Sequence, residues 1–384
     1  MSKKLIFSVM IALVVGMLVI PVIQSTPAFG ADLADVIAKA PQGTGKGQID
    51  PKAEPGYLGI PGGPKINMIY GLLWAIWVGW IFSTVGAFGG IMAGVGHITI
   101  FGLANYAKSF KETSPALNKA ITDSIRVSNQ WLVGLSGLIS SINYYKMGRL
   151  VLPLAICLAI GSVGGSFIIP IVTAGKIKLS SYQGYFGLAV LLLGCFLVYQ
   201  LTPRGMASKK AAKEAAGAFE KAVKTKKDSV DAGVKIVKFT AGQVVFTFYG
   251  VEFKFNPILP VIGGLCIAAL ASFLGIGGGF LLVPFMTAIV GLPMFIVAGT
   301  SALTVLIGMI VSIFSYMVLK GVAISWGFIG AELVGIFIGS MIGPRTSKYI
   351  PEKVLQILFI LLALYVGIQY TSKGFLGYSL VPPY

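Results

Sequence analysis

The stretch FLGIGGGFLLVP, residues 273–284, sets Gly275, Gly277, Gly278 and Gly279 inside one of the most hydrophobic parts of the chain. An interior glycine costs a helix about 1 kcal/mol relative to alanine. Four in five positions, with Pro284 close behind, predict that a membrane helix breaks here. Glycine lets the backbone leave α geometry and lets a ligand approach without a Cβ in the way, and proline removes a backbone donor. A packing reading stands beside this one. Gly275 and Gly279 form a G-x-x-x-G pair, the pattern that allows two membrane helices to approach closely, and packing and binding can coexist.

The whole chain sets the frame for that break. Of its 384 residues, 56% are hydrophobic and 11% are charged, whereas soluble domains carry about 25% charged residues. Such a chain lacks the polar surface of a water-soluble globule, and the expectation is an all-α polytopic membrane protein. The formal net charge is +17, from 30 basic against 13 acidic residues. Nucleic-acid binding is the ordinary inference from such an excess. Here the basic residues fall between apolar runs, where they set orientation and meet anionic lipid, and they also draw anions towards the protein. Cys157, Cys195 and Cys266 lie far apart within apolar segments, so no disulfide framework or metal spacing is readable. No metal, no cofactor and no nucleic-acid partner is expected. No nucleophile–base constellation points to an enzyme.

Residues 1–30 carry Lys3 and Lys4, an apolar run and small residues near Ala28. They read as a signal peptide or an uncleaved first membrane helix. A polar segment on the exported side, 31–65, comes next, and its GTGKG at 43–47 lacks the serine or threonine and the flanking elements of a phosphate loop. A first transmembrane repeat is expected over 66–202, a cytoplasmic basic insert over 203–256, a second repeat over 257–372 and a short tail over 373–384. The insert holds 11 Lys and Arg against 5 Asp and Glu. Its Ala/Lys/Glu-rich part reads as a solvated helix, and VVFTFYGVEFKF as a β-hairpin around Gly250.

The repeat is visible in the residues. VSNQWLVGLSGLISSINYYKMGRL (127–150) aligns with TSALTVLIGMIVSIFSYMVLKGVA (300–323), pairing Ser128 with Ser301 and Gly148 with Gly321. Upstream, AGVGHITIF (93–101) aligns with LGIGGGFLL (274–282). Five apolar segments per half, the second short in each, give the halves opposite orientations and interrupted helices at the Gly-rich breaks. This count places most basic loops inside; Lys176 and Lys178 fall outside and run against it. Inverted repeats with broken helices belong to secondary transporters, whose sites lie near the midplane at the breaks. Half-helix N–H groups and the positive dipole end suit an anion.

GIGGGFLLVP, preceded by an apolar helix and followed by AGTSALTVLIGMIVSIFSYMVLKG, resembles the sulfite exporter TauE/SafE family of bacterial membrane transporters. The resemblance covers about 69–371 apart from the insert, and is closer in the second half. It implies export of sulfite, an organosulfonate or a related sulfur oxyanion across the inner membrane by alternating access. An anion channel, or a non-transporting subunit that docks a partner through the insert, are the alternatives. The oligomeric state is open.

The expected substrate-binding residues are Gly94, Gly96, His97, Ser128 and Asn129 in the first half. In the second they are Gly275, Gly277, Gly278, Gly279, Thr300 and Ser301. His97 is the only histidine, a residue type whose charge changes near neutral pH, and it stands where Gly278 falls in the other half. Glu332 is a carboxylate in mid-span, costly there and a functional candidate by default. Coupling of a proton through His97 and Glu332 is one expectation; a hydrogen bond between helices for His97, and a distant Arg or Lys partner for Glu332, are the structural ones. Arg126 is an anion-attracting or snorkelling cation. Trp74, Trp77 and Trp80 read as a lipid or helix contact.

Overall fold

The computed structural model of the protein describes residues 27–86, 89–173, 183–202, 210–225, 233–274 and 279–382. They are mostly helical. In order come α1 (Pro27–Lys39), α2 (Met68–Val85), α3 (Gly89–Val95), α4 (Leu103–Ser109), α5 (Pro115–Lys146), α6 (Leu152–Thr173), α7 (Gln183–Gln200) and α8 (Lys210–Thr225). Three strands follow, β1 (Val234–Phe239), β2 (Val244–Phe248) and β3 (Val251–Phe255), and then α9 (Ile258–Leu274), α10 (Gly279–Pro284), α11 (Met294–Phe314), α12 (Trp326–Ser347) and α13 (Glu352–Phe375). Among the described residues, four helices are long and apolar enough to cross a membrane: α2, α11 with its extension to Leu319, α12 and α13. Shorter apolar helices lie within α3, α6, α7 and α9. The leader reading of residues 1–30 falls mostly outside the described residues, as do Gly275, Gly277 and Gly278.

Local chemistry starts the helices where they start. Asn67 Oδ1 accepts the Ile69 N–H at 2.8 Å ahead of α2, and Asn256 Oδ1 accepts the Ile258 N–H at 2.9 Å ahead of α9. The first apolar helix on each side of the insert thus has an asparagine filling an orphan donor. Helix α5 begins a dozen residues before the apolar segment at 127, with Pro115 at its first position. Its first turns, PALNKAITDSIR, are polar enough to hide it from a hydropathy reading. Gly148 (φ 65°) and Gly321 (φ 64°), paired by the internal alignment, both take the left-handed conformation.

Among the described residues three helices run into π segments, α3 into Gly96–Ile100, α10 into Phe285–Ile289 and α11 into Ser315–Leu319. In the first, the Phe101 N–H donates to the Gly96 carbonyl at 2.9 Å. Such bulges recur at functional sites.

The chain forms two compact units. The first comprises Met1–Gly79, Gly90–Leu138 and Met309–Gly339. There α12 lies close on α2: a Cβ at Gly335 would meet the Leu72 carbonyl and Ala75, and one at Gly71 would come within 3.5 Å of Glu332 Cγ.

The second comprises Trp80–Gly89, Ile139–Gly308 and Ser340–Tyr384. There α6 packs on α9 through Gly161 and Gly165, whose absent Cβ atoms would strike the backbone at Val261 and Leu265. In lipid, where apolar burial drives nothing between helices, small residues gain van der Waals contact by such approach. Gly161-x-x-x-Gly165 is therefore one small-residue pair by which helices of this unit meet.

The insert belongs to the second unit. β1, β2 and β3 form an antiparallel sheet in that order. Tyr249 (φ 50°) and Gly250 (φ 81°) make the β2–β3 turn, both positive as a two-residue hairpin turn requires. β1 is a third strand that the alternation reading did not contain. The insert helix α8 is not simply solvated. Its Phe219 ring lies 4.4 Å from that of Phe295, and Glu220 Oε1 accepts the Glu352 N–H at 2.9 Å. The fully buried Arg149 guanidinium sits over the Phe219 ring at 5.1 Å.

Candidate functional site

In the first unit, the π segment after α3 carries His97, which is 1% exposed. Its Nε2 lies 2.7 Å from Glu332 Oε2, and Glu332 is 0% exposed. A lone buried carboxylate is heavily penalised by desolvation; the imidazole is the partner that makes this one tolerable. Glu332 therefore pairs with His97 rather than with an arginine or lysine. Phe328, a turn earlier on α12, packs against the His97 ring at 5.5 Å, and Phe101 edges onto Phe328 at 5.3 Å. These rings enclose the pair in apolar surface.

The pair does not use all of its polar atoms. His97 Nδ1 and Glu332 Oε1 are buried without a hydrogen-bond partner, as are Trp74 Nε1 and Asn129 Oδ1. Buried polar groups are normally satisfied, so a local group of exceptions asks for an explanation. Gly96 brings one of them in: a Cβ at that residue would collide with Trp74 Nε1. Gly94 brings another, since its absent Cβ would stand 3.5 Å from Asn129 Nδ2. Gly96 is thus needed for the close approach of Trp74 from α2, whereas a Cβ at Gly94 would make only ordinary contact with Asn129 of α5.

Tyr57, from the segment before α2, completes the polar surround. Its hydroxyl lies 3.1 Å from Ser124 Oγ. Burial pushes that hydroxyl up to about 12; Ser124 and Ser128 oppose the shift, and the charge of Glu332 adds to it. Tyr57 is therefore a neutral hydroxyl at any physiological pH.

Of the residues singled out in the sequence, the structure brings Gly94, Gly96, His97, Ser128, Asn129 and Glu332 together in the first unit. Gly279, Thr300 and Ser301 belong to the second. The Thr300 hydroxyl donates to the Ile296 carbonyl at 2.7 Å and accepts the Val151 N–H at 3.1 Å. The Ser301 hydroxyl donates to the Ala298 carbonyl at 3.0 Å. Their protons are committed to the backbone of α11. Arg126 is engaged by Asp123 Oδ1 at 2.9 Å and Tyr316 Oη at 3.0 Å. Trp80 Nε1 donates to Thr346 Oγ1 at 3.0 Å, which leaves Trp74 as the unusual member of the tryptophan stripe. GTGKG curls on its own Gln48, whose Oε1 accepts the Gly45 N–H at 2.9 Å.

Trp74 and Tyr57 are the members of this cluster that sequence reasoning missed. The three-residue spacing of the tryptophans carried a signal for a helix face. It carried none for which indole N–H would be buried without an acceptor.

The model of the family described as "Sulfite exporter TauE/SafE" matches residues 71–370. The chain belongs to that family. This TauE/SafE protein is also similar to a probable membrane transporter protein of Methanocaldococcus jannaschii, at 34% identity over 116 residues. That alignment covers 28% of this chain and 43% of the relative, so the chain spans less than half of the relative's length. No solved structure matches. Family membership and the apolar helices together make the TauE/SafE chain a multi-pass membrane protein.

Proposed function

We propose that this TauE/SafE protein is a secondary transporter of the bacterial inner membrane that exports a small anion by alternating access. The substrate is sulfite, an organosulfonate or a related sulfur oxyanion, and a proton is the coupling ion, carried by His97 and Glu332. The observation that carries this reading is the buried His97–Glu332 pair with unpartnered polar atoms around it. A helix-packing contact would have satisfied those atoms. Gly96 admits the Trp74 indole and Gly94 lies next to Asn129, while Ser128 and Asn129 supply neutral polar groups. The similarity to a probable membrane transporter and the family description support the transport class and the anion.

Two features support a repeat as its frame: the asparagine caps of α2 and α9, and the shared left-handed Gly148 and Gly321. Gly275, Gly277, Gly278 and Gly279 are read, from the sequence alone, as substrate-binding in the second half, where Thr300 and Ser301 serve as acceptors and packing groups.

The test is counterflow in proteoliposomes. Saturable, trans-stimulated exchange of labelled sulfite is expected, and a bulky Gly278→Leu substitution should abolish it while insertion stays intact. Large current without counterflow indicates a channel. An absence of flux for every sulfur oxyanion indicates a membrane subunit with another task.

A further inference from the structure

We infer that the anion and one proton occupy a single site, in which protonation of the His97–Glu332 pair turns His97 Nδ1 from an acceptor into a donor. The inference rests on the anion reading above and adds to it a chemical reason for coupling.

The bookkeeping follows from which ring nitrogen faces the carboxylate. His97 Nε2 is the atom 2.7 Å from Glu332 Oε2. With no extra proton, a neutral imidazole must hold its hydrogen on Nε2 to donate to the carboxylate. Nδ1 then presents a bare lone pair, and the pair carries one negative charge. Both features repel an anion. Add one proton from water, and two arrangements are open: imidazolium with carboxylate, or an imidazole protonated on Nδ1 accepting from the carboxylic acid. In both, Nδ1 bears a hydrogen and the pair is neutral. The unpartnered, fully buried Nδ1 is the atom whose character changes.

A second unpartnered donor lies against the residue that precedes His97. Trp74 Nε1–H is buried without an acceptor at the place where a Cβ of residue 96 would be, adjacent in sequence to His97. An indole N–H donates at every pH and cannot accept, so it favours anions without titrating. The titratable group facing Glu332 is Tyr57, held neutral as described. Arg126, nearby on α5, is already taken by Asp123 and Tyr316, and Phe101 and Phe328 close the pair with apolar surface. The pair's own charge state therefore decides whether an anion is welcome. Release of the anion on the far side lets the proton leave, which resets Nδ1 as an acceptor.

The experiment uses the full chain in lipid nanodiscs, with methanesulfonate and sulfate as probes because their charges are fixed across roughly pH 5–8, the range in which histidine titrates. By linkage, anion binding should take up about one proton per anion in weak buffer. Affinity should fall by up to about tenfold per pH unit on the alkaline side. E332Q should bind with less proton uptake and a shallower pH profile, because the uncharged amide removes the negative charge that the unprotonated pair sets against the anion and can meet Nε2 as donor or acceptor. W74F, which keeps the ring and loses the N–H, should bind about tenfold more weakly with the pH slope retained. Anion binding by the wild type with no proton uptake overturns the coupling and leaves the anion reading standing. Unchanged affinity in W74F overturns the indole donor. No binding of either probe or of sulfite at any pH overturns the anion reading itself.

Discussion

His97 and Glu332 stand 235 positions apart in the chain and 2.7 Å apart in space, both shut away from solvent. Each residue is the other's reason for being tolerated. Removing one partner of such a pair leaves the other buried and unsatisfied, at a cost of about 3–5 kcal/mol. His97→Ala and Glu332→Ala should each lower thermal stability in detergent by that order, and the double variant should lose far less than their sum. Strict additivity across the cycle would contradict a direct pair.

Gly96 is held small by the Trp74 indole. Gly96→Ala places a methyl group against a ring nitrogen that is itself enclosed, so either the indole or the π segment must shift. Transport should drop at least tenfold while membrane insertion is unchanged, about the size of effect expected when buried donors are moved off their mark. Gly59→Ala, where nothing stands within 4 Å, offers a poorer control because its φ of 74° is itself strained for alanine. Gly308→Ala, an open helical position, is the better comparison.

Tyr57 gives a pH signature. Its folded value of about 12 lies above the ordinary value of 10.0, so the neutral form is favoured in the native state. That stabilisation is complete below about pH 10 and is lost as pH rises from there towards 12. The loss is on the order of 2–3 kcal/mol. Alkaline melting of the wild type should therefore steepen above pH 10 relative to Tyr57→Phe. An identical alkaline limb in the two proteins would remove Tyr57 from the buried cluster.

The insert helix should be stitched down rather than free. Phe219→Ala removes a buried ring that touches Phe295 and lies under the Arg149 guanidinium, at about 3–5 kcal/mol. Limited proteolysis should then cut the 203–256 region much faster. Equal cleavage rates would mean that the helix spends its time undocked.

Gly161→Leu tests the contact between α6 and α9. Its side chain would drive into the Val261 carbonyl, and loss of folded protein is expected. Gly217→Leu, on the exposed part of α8 with nothing within 4 Å, should instead stabilise by up to about 1 kcal/mol through helix propensity. Size-exclusion profiles of the two variants separate these outcomes.

What could be read from the sequence was whatever lives within one segment. The apolar runs, the Ala/Lys/Glu helix and the alternation around Gly250 all depend on neighbours a few residues away, and the same regions are helical or paired strands in the structure. Helix α5 starts earlier than its apolar stretch because amphipathic turns at 115–126 carry little net hydropathy. The strand β1 was invisible because VKIVKF has no clean alternation. His97, Asn129 and Glu332 each stood out as polar residues in apolar surroundings, yet nothing local joins His97 to Glu332. Trp74 had a local signal only as part of a tryptophan stripe: its peculiarity is an N–H without an acceptor, which depends on the absence of a Cβ at Gly96.

Gly161 and Gly165 precede the insert, and the backbone they rest on at Val261 and Leu265 follows it. Neither length of chain can therefore complete its own packing before the other is made. A gene cut between Thr225 and Gly233 should yield two pieces that are degraded when expressed singly and recovered when produced in the same cell. Synthesis of the second piece would then set the pace at which the first escapes quality control.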